Sequence, residues 1–292
     1  PKEYLKNAKN GDKVKIKFRD WPARAKNPYA RIVEVFGKAG NNSGEMHAIV
    51  AEFGFDTQFD DAIEKAANQL PKTIHKDEVS KREDYRSIST FTIDPADAKD
   101  FDDALSFQKL KNGNTEIGVH IADVSHYINP TDVIDKEAIK RATSVYLVDR
   151  TIPMLPEVLS NNICSLRPHE ESLCFSVIFE FDSDANVKDY RFAKTVIYSD
   201  HRFSYEDAQE VIDSEKGLYA EELKTMNLIA SKLRKKKYEN GAINFETTEF
   251  RFTLDKNGKP IAVIPKVRKD AHKMIEEYML LANKYVARPL DV

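Results

Sequence analysis

Within the run TIDPADAKDFDDALSF, Asp94, Asp100, Asp102 and Asp103 fall inside ten residues, the densest grouping of carboxylates in the chain. Carboxylates at this spacing repel one another. A fold keeps them together only by separating them with water, by raising their pKa values or by neutralising them with a cation, and the last option carries chemistry. An EF-hand calcium loop counted from Asp94 needs Asp or Asn at positions three and five, Gly at six and Glu at twelve, whereas the chain has Ala96, Ala98, Lys99 and Leu105 there. A calcium-stabilised structural loop therefore has no pattern behind it. Mg²⁺ suits the run better, because it is held by a few carboxylates together with waters and phosphate oxygens, and paired metals about 4 Å apart serve in-line attack on a phosphodiester. The plain alternative is an acidic turn facing water. Against it stand the flanks Thr92-Ile93 and Ala104-Leu105-Ser106-Phe107, which read as buried strand.

The elements that position the run follow from periodicity. ALSFQKL and TEIGVHIADV flank Asn112-Gly113, a strong hairpin signal, so the aspartates lie where the chain enters a sheet. LCFSVIFEFD, DYRFAKTVIYSD and GAINFETTEFRFTLD also read as strands. Asp132 to Thr143 reads as helix, and Ser204 with Asp207 marks a helix start. A long amphipathic stretch through Leu223, Met226, Ile229 and Leu233 ends in basic residues before Gly241, and Asp270 to Ala287 repeats Met274, Tyr278, Leu281 and Tyr285 at helical spacing.

The amino-terminal part has a different character. KVKIKF and ARIVEVF alternate with period two, and between Lys13 and Lys38 eight basic residues face two acidic ones, interleaved with Phe18, Trp21, Tyr29 and Phe36. Such strands suit a small barrel that tracks phosphates and stacks bases, and they suit equally a solvated strand face over core aromatics. Asp56 to Leu70 reads as a helix ended by Pro71. The charged stretch HKDEVSKREDYR then places a domain boundary near residues 75 and 76, giving domains over 1–75 and 76–292.

Composition narrows the class. Lys and Arg number 45 against 48 Asp and Glu, a net charge of -3, so nucleic-acid binding has to come from a local patch such as the one above. Cys164 and Cys174 are too far apart for a redox pair or a zinc knuckle and suit a reducing cytosol. No membrane-spanning run and no charged-then-apolar leader appears, which leads to the expectation of a cytoplasmic protein. The chain starts at Pro1 and stops just after an apparent helix, as an excised piece of a longer protein would.

TIDPADAKDFDDALSF, GVHIADVSHYI, VYLVDRTIPMLPEVLSNNICSLRP, GAINFETTEFRF and DAHKMIEEYMLLAN, in that order, resemble the catalytic domain of the ribonuclease II and ribonuclease R family of exoribonucleases. The preceding GDKVKIKFRDWPARAKNPYARIVEVFG with EMHAIVAEFGF looks like the family's second cold-shock domain, closer to ribonuclease R. The resemblance implies an α+β chain. A small amino-terminal barrel of OB and cold-shock type, with Arg19, Trp21, Arg24 and Lys26 toward RNA, would precede a mixed α/β catalytic domain truncated at its carboxyl end.

It further implies processive 3′-to-5′ hydrolysis of single-stranded RNA to nucleoside 5′-monophosphates with Mg²⁺, by a monomer without a small-molecule cofactor. In that scheme Asp94 and Asp103 ligate the main Mg²⁺, Asp100 supports the site, and Asp102 is most directly required for cleavage, holding a second metal or orienting water. Asp97 has no role. Tyr146 and Phe245 would form an aromatic clamp on the terminal base, which tolerates any base. Tyr205 and one of Glu276 or Glu277 would contact the ribose. His120 and His126 read as structural residues rather than ligands, and Cys164 as core. The family's arginine-bearing phosphate segment and S1 domain do not occur in the sequence, so the expectation is a metal-binding half-site with little activity. A non-catalytic RNA-binding module that kept the fold is the alternative.

Overall fold

A computed structural model describes residues 2–244, 248–256 and 258–290. Its contacts divide the chain into two compact units that are each discontinuous in sequence. The first comprises Pro1–Glu64, Lys136–Met154 and Glu249–Pro265, and the second Lys65–Asp135, Leu155–Thr248 and Lys266–Val292. Residues 136–154 and 249–265 thus pack with the amino-terminal unit. Two inserted segments join the first unit through long-range bonds: the Arg141 guanidinium donates to the Asp56 and Gln58 carbonyls at 2.9 and 2.6 Å, and the Asn42 amide donates to Asp149 and to the Gly258 carbonyl, each at 3.2 Å.

In the first unit the described residues form a small sheet of two long antiparallel strands, Asp12–Asp20 and Tyr29–Lys38, rather than a closed barrel, followed by the helix Asn42–Glu52. Asn41 caps that helix by accepting the Ser43 N–H at 3.0 Å. The alternating sequence pattern made the strands, yet Ile16, Phe18, Trp21 and Tyr29 stay exposed. They form no core. Two short hairpins, Val145–Tyr146 with Thr151–Ile152 and Phe250–Leu254 with Pro260–Pro265, complete the unit.

The second unit is built on a seven-stranded sheet: β1 (Glu83–Tyr85), β2 (Ser89–Asp94), β3 (Asp103–Lys109), β4 (Thr115–Ala122), β5 (Glu171–Phe181), β6 (Val187–Tyr198) and β7 (His201–Ser204). Its spatial order is β7-β2-β3-β4-β5-β6-β1, parallel at the two edges and antiparallel between. Asn112-Gly113 does turn the chain between β3 and β4: Gly113 has a φ of 87°, and Leu110 N–H bonds to the Asn114 carbonyl at 2.9 Å.

Alternate residues sort to the two faces. Phe91, Ile93, Leu105, Phe107, Ile117, Val119, Val177 and Phe179 form one apolar core with Leu223, Met226, Met274, Ile275 and Tyr278. Those partners come from α2 (Ala220–Glu239) and α3 (Asp270–Ala287), while α1 (Tyr205–Ser214) contributes Ala208. A buried side chain of this size contributes roughly 1.5–3 kcal/mol, so the core is ample support for polar groups elsewhere in the sheet. No helix among the described residues is long and apolar enough to cross a membrane.

One set of those polar groups lies on the other face. His120 is fully buried between the hydroxyls of Ser176 (2.7 Å) and Ser106 (2.8 Å), and Ser176 also bonds to Thr195 at 2.7 Å. Burial pushes the imidazole down to about 3, so it is neutral and structural. Gly118 makes room for it: a Cβ there would stand 2.4 Å from the Ser106 hydroxyl and 2.5 Å from His120 Nε2. Cys164 is likewise buried, with burial raising its thiol to about 12.

Candidate active site

The aspartate loop runs from the end of β2 to the start of β3, and its main chain is held by five hydrogen bonds. Arg202 donates to the Pro95 carbonyl at 2.5 Å. Ser165 Oγ accepts the Phe101 N–H and donates to the Lys99 carbonyl, both at 3.0 Å. Leu166 N–H bonds to the Phe101 carbonyl at 2.8 Å and Ala122 N–H to the Asp102 carbonyl at 3.0 Å. The loop is therefore a built feature rather than a solvated turn. Arg202 adds a second hold, its guanidinium lying 5.4 Å from the centre of the Phe101 ring.

Held this way, the carboxylates sit in an unfavourable field. Asp94 is buried, and its Oδ2 has no hydrogen-bond partner among the described residues. Burial raises this carboxyl to about 7; the Thr92 hydroxyl and the Arg202 charge oppose the rise, and the charges of Asp103 and Asp100 add to it. Asp103 is pushed up to about 6 by burial and then by Asp102. Asp102 has an exposed residue surface, yet the protein crowding its carboxyl raises it, and Asp100 is the second cause. An isolated anion in this setting costs several kcal/mol unless a proton or cation compensates it.

This donor set fits a hard divalent cation in chemistry, since it consists of carboxylate oxygens, one of them buried and unsatisfied. It is not gathered into a finished ligand cage: among the described residues no three His, Cys, Asp or Glu side chains converge closely enough to hold a metal. The structure thus brings the four aspartates into one electrostatic neighbourhood without closing them on a common point.

Around the loop, β7 runs parallel to β2 with Ser204 in register with Asp94. Ser204 caps α1 by accepting the Asp207 N–H at 3.0 Å, and Asp207 accepts in return from the Ser204 N–H at 3.3 Å. Tyr205, the next residue, has its phenol raised to about 12, first by burial and then by the charges of Asp103 and Asp94. The predicted ribose contact therefore does belong to the aspartate neighbourhood. Glu277 is buried and paired with Lys237, and Glu276, more exposed, is paired with Arg268. Neither acid is linked to the aspartates by those bonds.

The remaining predicted residues divide by unit. Tyr146 belongs to the first unit, where it is exposed on the Val145–Tyr146 hairpin. Arg19, Trp21, Arg24 and Lys26 belong there too and are all exposed; Arg19 lies over the Tyr4 ring at 4.6 Å and Trp21 Nε1 donates to the Ala25 carbonyl at 3.2 Å. Phe245 lies outside the described residues. Sequence reasoning missed Arg202 and Ser165, whose only signals were their places inside HRFSY and NNICSLRP.

With that geometry in hand, likeness to known proteins becomes informative. Residues 82–291 match the family model of the RNB domain, and residues 1–60 match that of the cold shock domain. Ribonuclease R of Thermotoga maritima is 38% identical over 99% of this chain and 42% of its own length. Among solved structures, Mycoplasma genitalium RNase R in complex with ribose methylated single-stranded RNA superposes with a TM-score of 0.90 at 26% identity, covering 99% of this chain and 46% of that one. Yeast Ssd1, described as a pseudonuclease, shares the fold at a TM-score of 0.71 and 20% identity, over 99% of this chain and 36% of that one. The chain thus spans less than half the length of each of these proteins.

Proposed function

The chain belongs to the RNB domain family, and on that premise we propose that it is the part of a 3′-to-5′ exoribonuclease that holds the metal-binding aspartates. The substrate is single-stranded RNA and the products are nucleoside 5′-monophosphates, released processively. The observation that carries the reading is the buried Asp94 carboxylate with an unsatisfied oxygen, crowded by Asp103 and Asp100. Such a group is relieved by a proton or a cation, and RNA hydrolysis supplies a reason for the cation.

Asp94 and Asp103 would hold Mg²⁺, with Asp100 as a supporting acceptor. The bound ion would neutralise phosphate charge and acidify a water. Asp102, the most exposed of the four, can accept a proton from a water or orient it at the scissile phosphate. Arg202 and Ser165 keep the loop main chain fixed while its carboxylates respond to charge. Tyr205 faces the terminal ribose, where a 2′-hydroxyl separates RNA from DNA. Arg19, Arg24 and Lys26 track the RNA backbone, and the exposed rings of Trp21 and Tyr146 offer stacking surfaces for bases. No further cofactor enters the reading, and the protein acts as a cytoplasmic monomer.

The test is release of labelled monophosphates from single-stranded RNA with Mg²⁺, compared between wild type and Asp102→Asn. Loss of cleavage with RNA binding retained supports the enzyme. Equal cleavage by both proteins removes Asp102 from the mechanism. Binding without cleavage by the wild type favours a non-catalytic RNA-binding module, a reading that the shared fold of the Ssd1 pseudonuclease keeps open.

A further inference from the structure

Tyr205 is held on two sides, and only one of them is explained by its own helix. The Ser204 and Asp207 capping box fixes its backbone at the start of α1. Its ring is fixed separately: the His272 imidazole stacks on it with centroids 4.0 Å apart and planes 8° from parallel. His272 lies in the first turn of α3, where its Nδ1 accepts the Lys269 N–H at 3.2 Å. That bond needs an Nδ1 without a proton, which places the ring proton of the neutral imidazole on Nε2. Burial, the largest cause, and then Lys266 lower the His272 pKa and favour this neutral form. Gln209 of α1 accepts the Ala271 N–H at 2.9 Å in the buried joint, so the first turn of α3 is docked on the helix that Tyr205 begins.

We infer that His272 is a positioning residue for Tyr205, namely that it fixes the plane of the phenol beside the aspartate loop so that the ring meets the RNA 3′-terminal ribose in one orientation. The inference rests on the proposed RNA site for its substrate, though the stack itself does not depend on it. An unstacked phenol can turn about its side-chain bonds. A stacked one has that freedom removed before RNA arrives, and a pre-set orientation lowers the cost of binding.

Two substitutions separate positioning from capping. His272→Gln keeps a side-chain acceptor for the Lys269 N–H, as Gln does at the third position of a capping box, and loses the ring. His272→Phe keeps a ring and loses the acceptor. In protein labelled with carbon-13 at tyrosine rings, with Tyr205→Phe assigning the signal, the Tyr205 resonance should carry a ring-current shift in wild type and His272→Phe and lose it in His272→Gln. With single-stranded RNA and Mg²⁺, His272→Gln should raise KM about tenfold with kcat within about twofold, whereas His272→Phe stays near wild type.

A Tyr205 shift and KM unchanged in His272→Gln would overturn the inference. So would a His272→Phe protein that loses as much as His272→Gln, since capping would then be the whole role. If the wild type releases no nucleotide, the hydrolase reading fails on its own account. The Kd for a single-stranded oligonucleotide then replaces KM, with the same expected rise in His272→Gln and the same result overturning the inference if it does not move.

Discussion

Asp94 and Asp123 stand at strand ends of the same sheet and are both buried, yet the sheet treats them in opposite ways. Asp123 meets the Arg82 guanidinium at 2.8 Å, the Ser125 hydroxyl at 2.8 Å and the Lys194 ammonium at 3.6 Å. Burial would raise its pKa, but Arg82 and Ser125 outweigh burial and hold it below the usual carboxylate value. For Asp94 burial outweighs the opposing Thr92 and Arg202, and its carboxyl rises to about 7. The first arrangement is complete within the protein. The second is complete only with something added, which is how a binding site differs from a structural ion pair of similar residue types.

Breaking the complete arrangement should cost most. Arg82 has a side chain with no exposure, and it also donates to Glu78 at 2.8 Å. Arg82→Met should therefore destabilise by about 3–5 kcal/mol, because it strands a buried charge. Denaturant unfolding measures this, and adding Asp123→Leu should recover much of the loss. A cost below about 1 kcal/mol for the single variant would show that Asp123 does not depend on the pair.

The incomplete arrangement should respond in function. Asp102→Asn should slow RNA hydrolysis at least about a hundredfold, roughly 2.7 kcal/mol of barrier, with its melting temperature close to wild type. Mg²⁺ should in turn stabilise the wild type, by about 2.7 kcal/mol at a hundredfold excess over Kd. Asp94→Asn should lose most of that gain while being no less stable than wild type without metal, since it removes the charge of a buried carboxylate that has an unsatisfied oxygen. Equal Mg²⁺ stabilisation of both proteins would move the metal away from Asp94.

What could be read in the sequence was what short range determines. The Asn112-Gly113 turn, the Ser204 and Asp207 cap and the apolar period of α3 need only neighbouring residues, and all three formed as expected. The aspartate run announced a hard-cation chemistry for the same reason. The groups that complete Asp123 and fix the main chain of the aspartate loop lie far along the chain: Arg82 is 41 residues from Asp123, Ser165 is 64 from Phe101, and Arg202 is 107 from Pro95. Periodicity carries no such pairing. Nor could it show that residues 136–154 and 249–265 fold with the amino-terminal unit, because the bonds from Arg141 and Asn42 that join them span 83 to 216 residues.

The smallest expected effect per step concerns pH, and it separates the two regions by sign. His120 forms a buried seam with Ser106, Ser176 and Thr195, and its pKa falls from 6.5 unfolded to about 3 folded because burial penalises the charged ring. Between those values the unfolded chain binds a proton that the folded chain refuses, so its contribution to stability is full above about 6.5 and declines as the pH falls toward 3. The slope is at most about 1.4 kcal/mol per pH unit. Asp94 and Asp103 act in the other direction, since their raised folded values favour the protonated fold on acidification and their adverse contribution grows as the pH rises toward about 7 and about 6. Wild-type stability alone mixes the two. The stability difference between wild type and His120→Gln, followed from pH 7 to 4 without metal, cancels the loop and isolates the seam, and it should turn against wild type steadily below about 6.5. A difference that stays constant over that range would mean that His120 accepts a proton in the folded protein, and that the seam is not closed to charge.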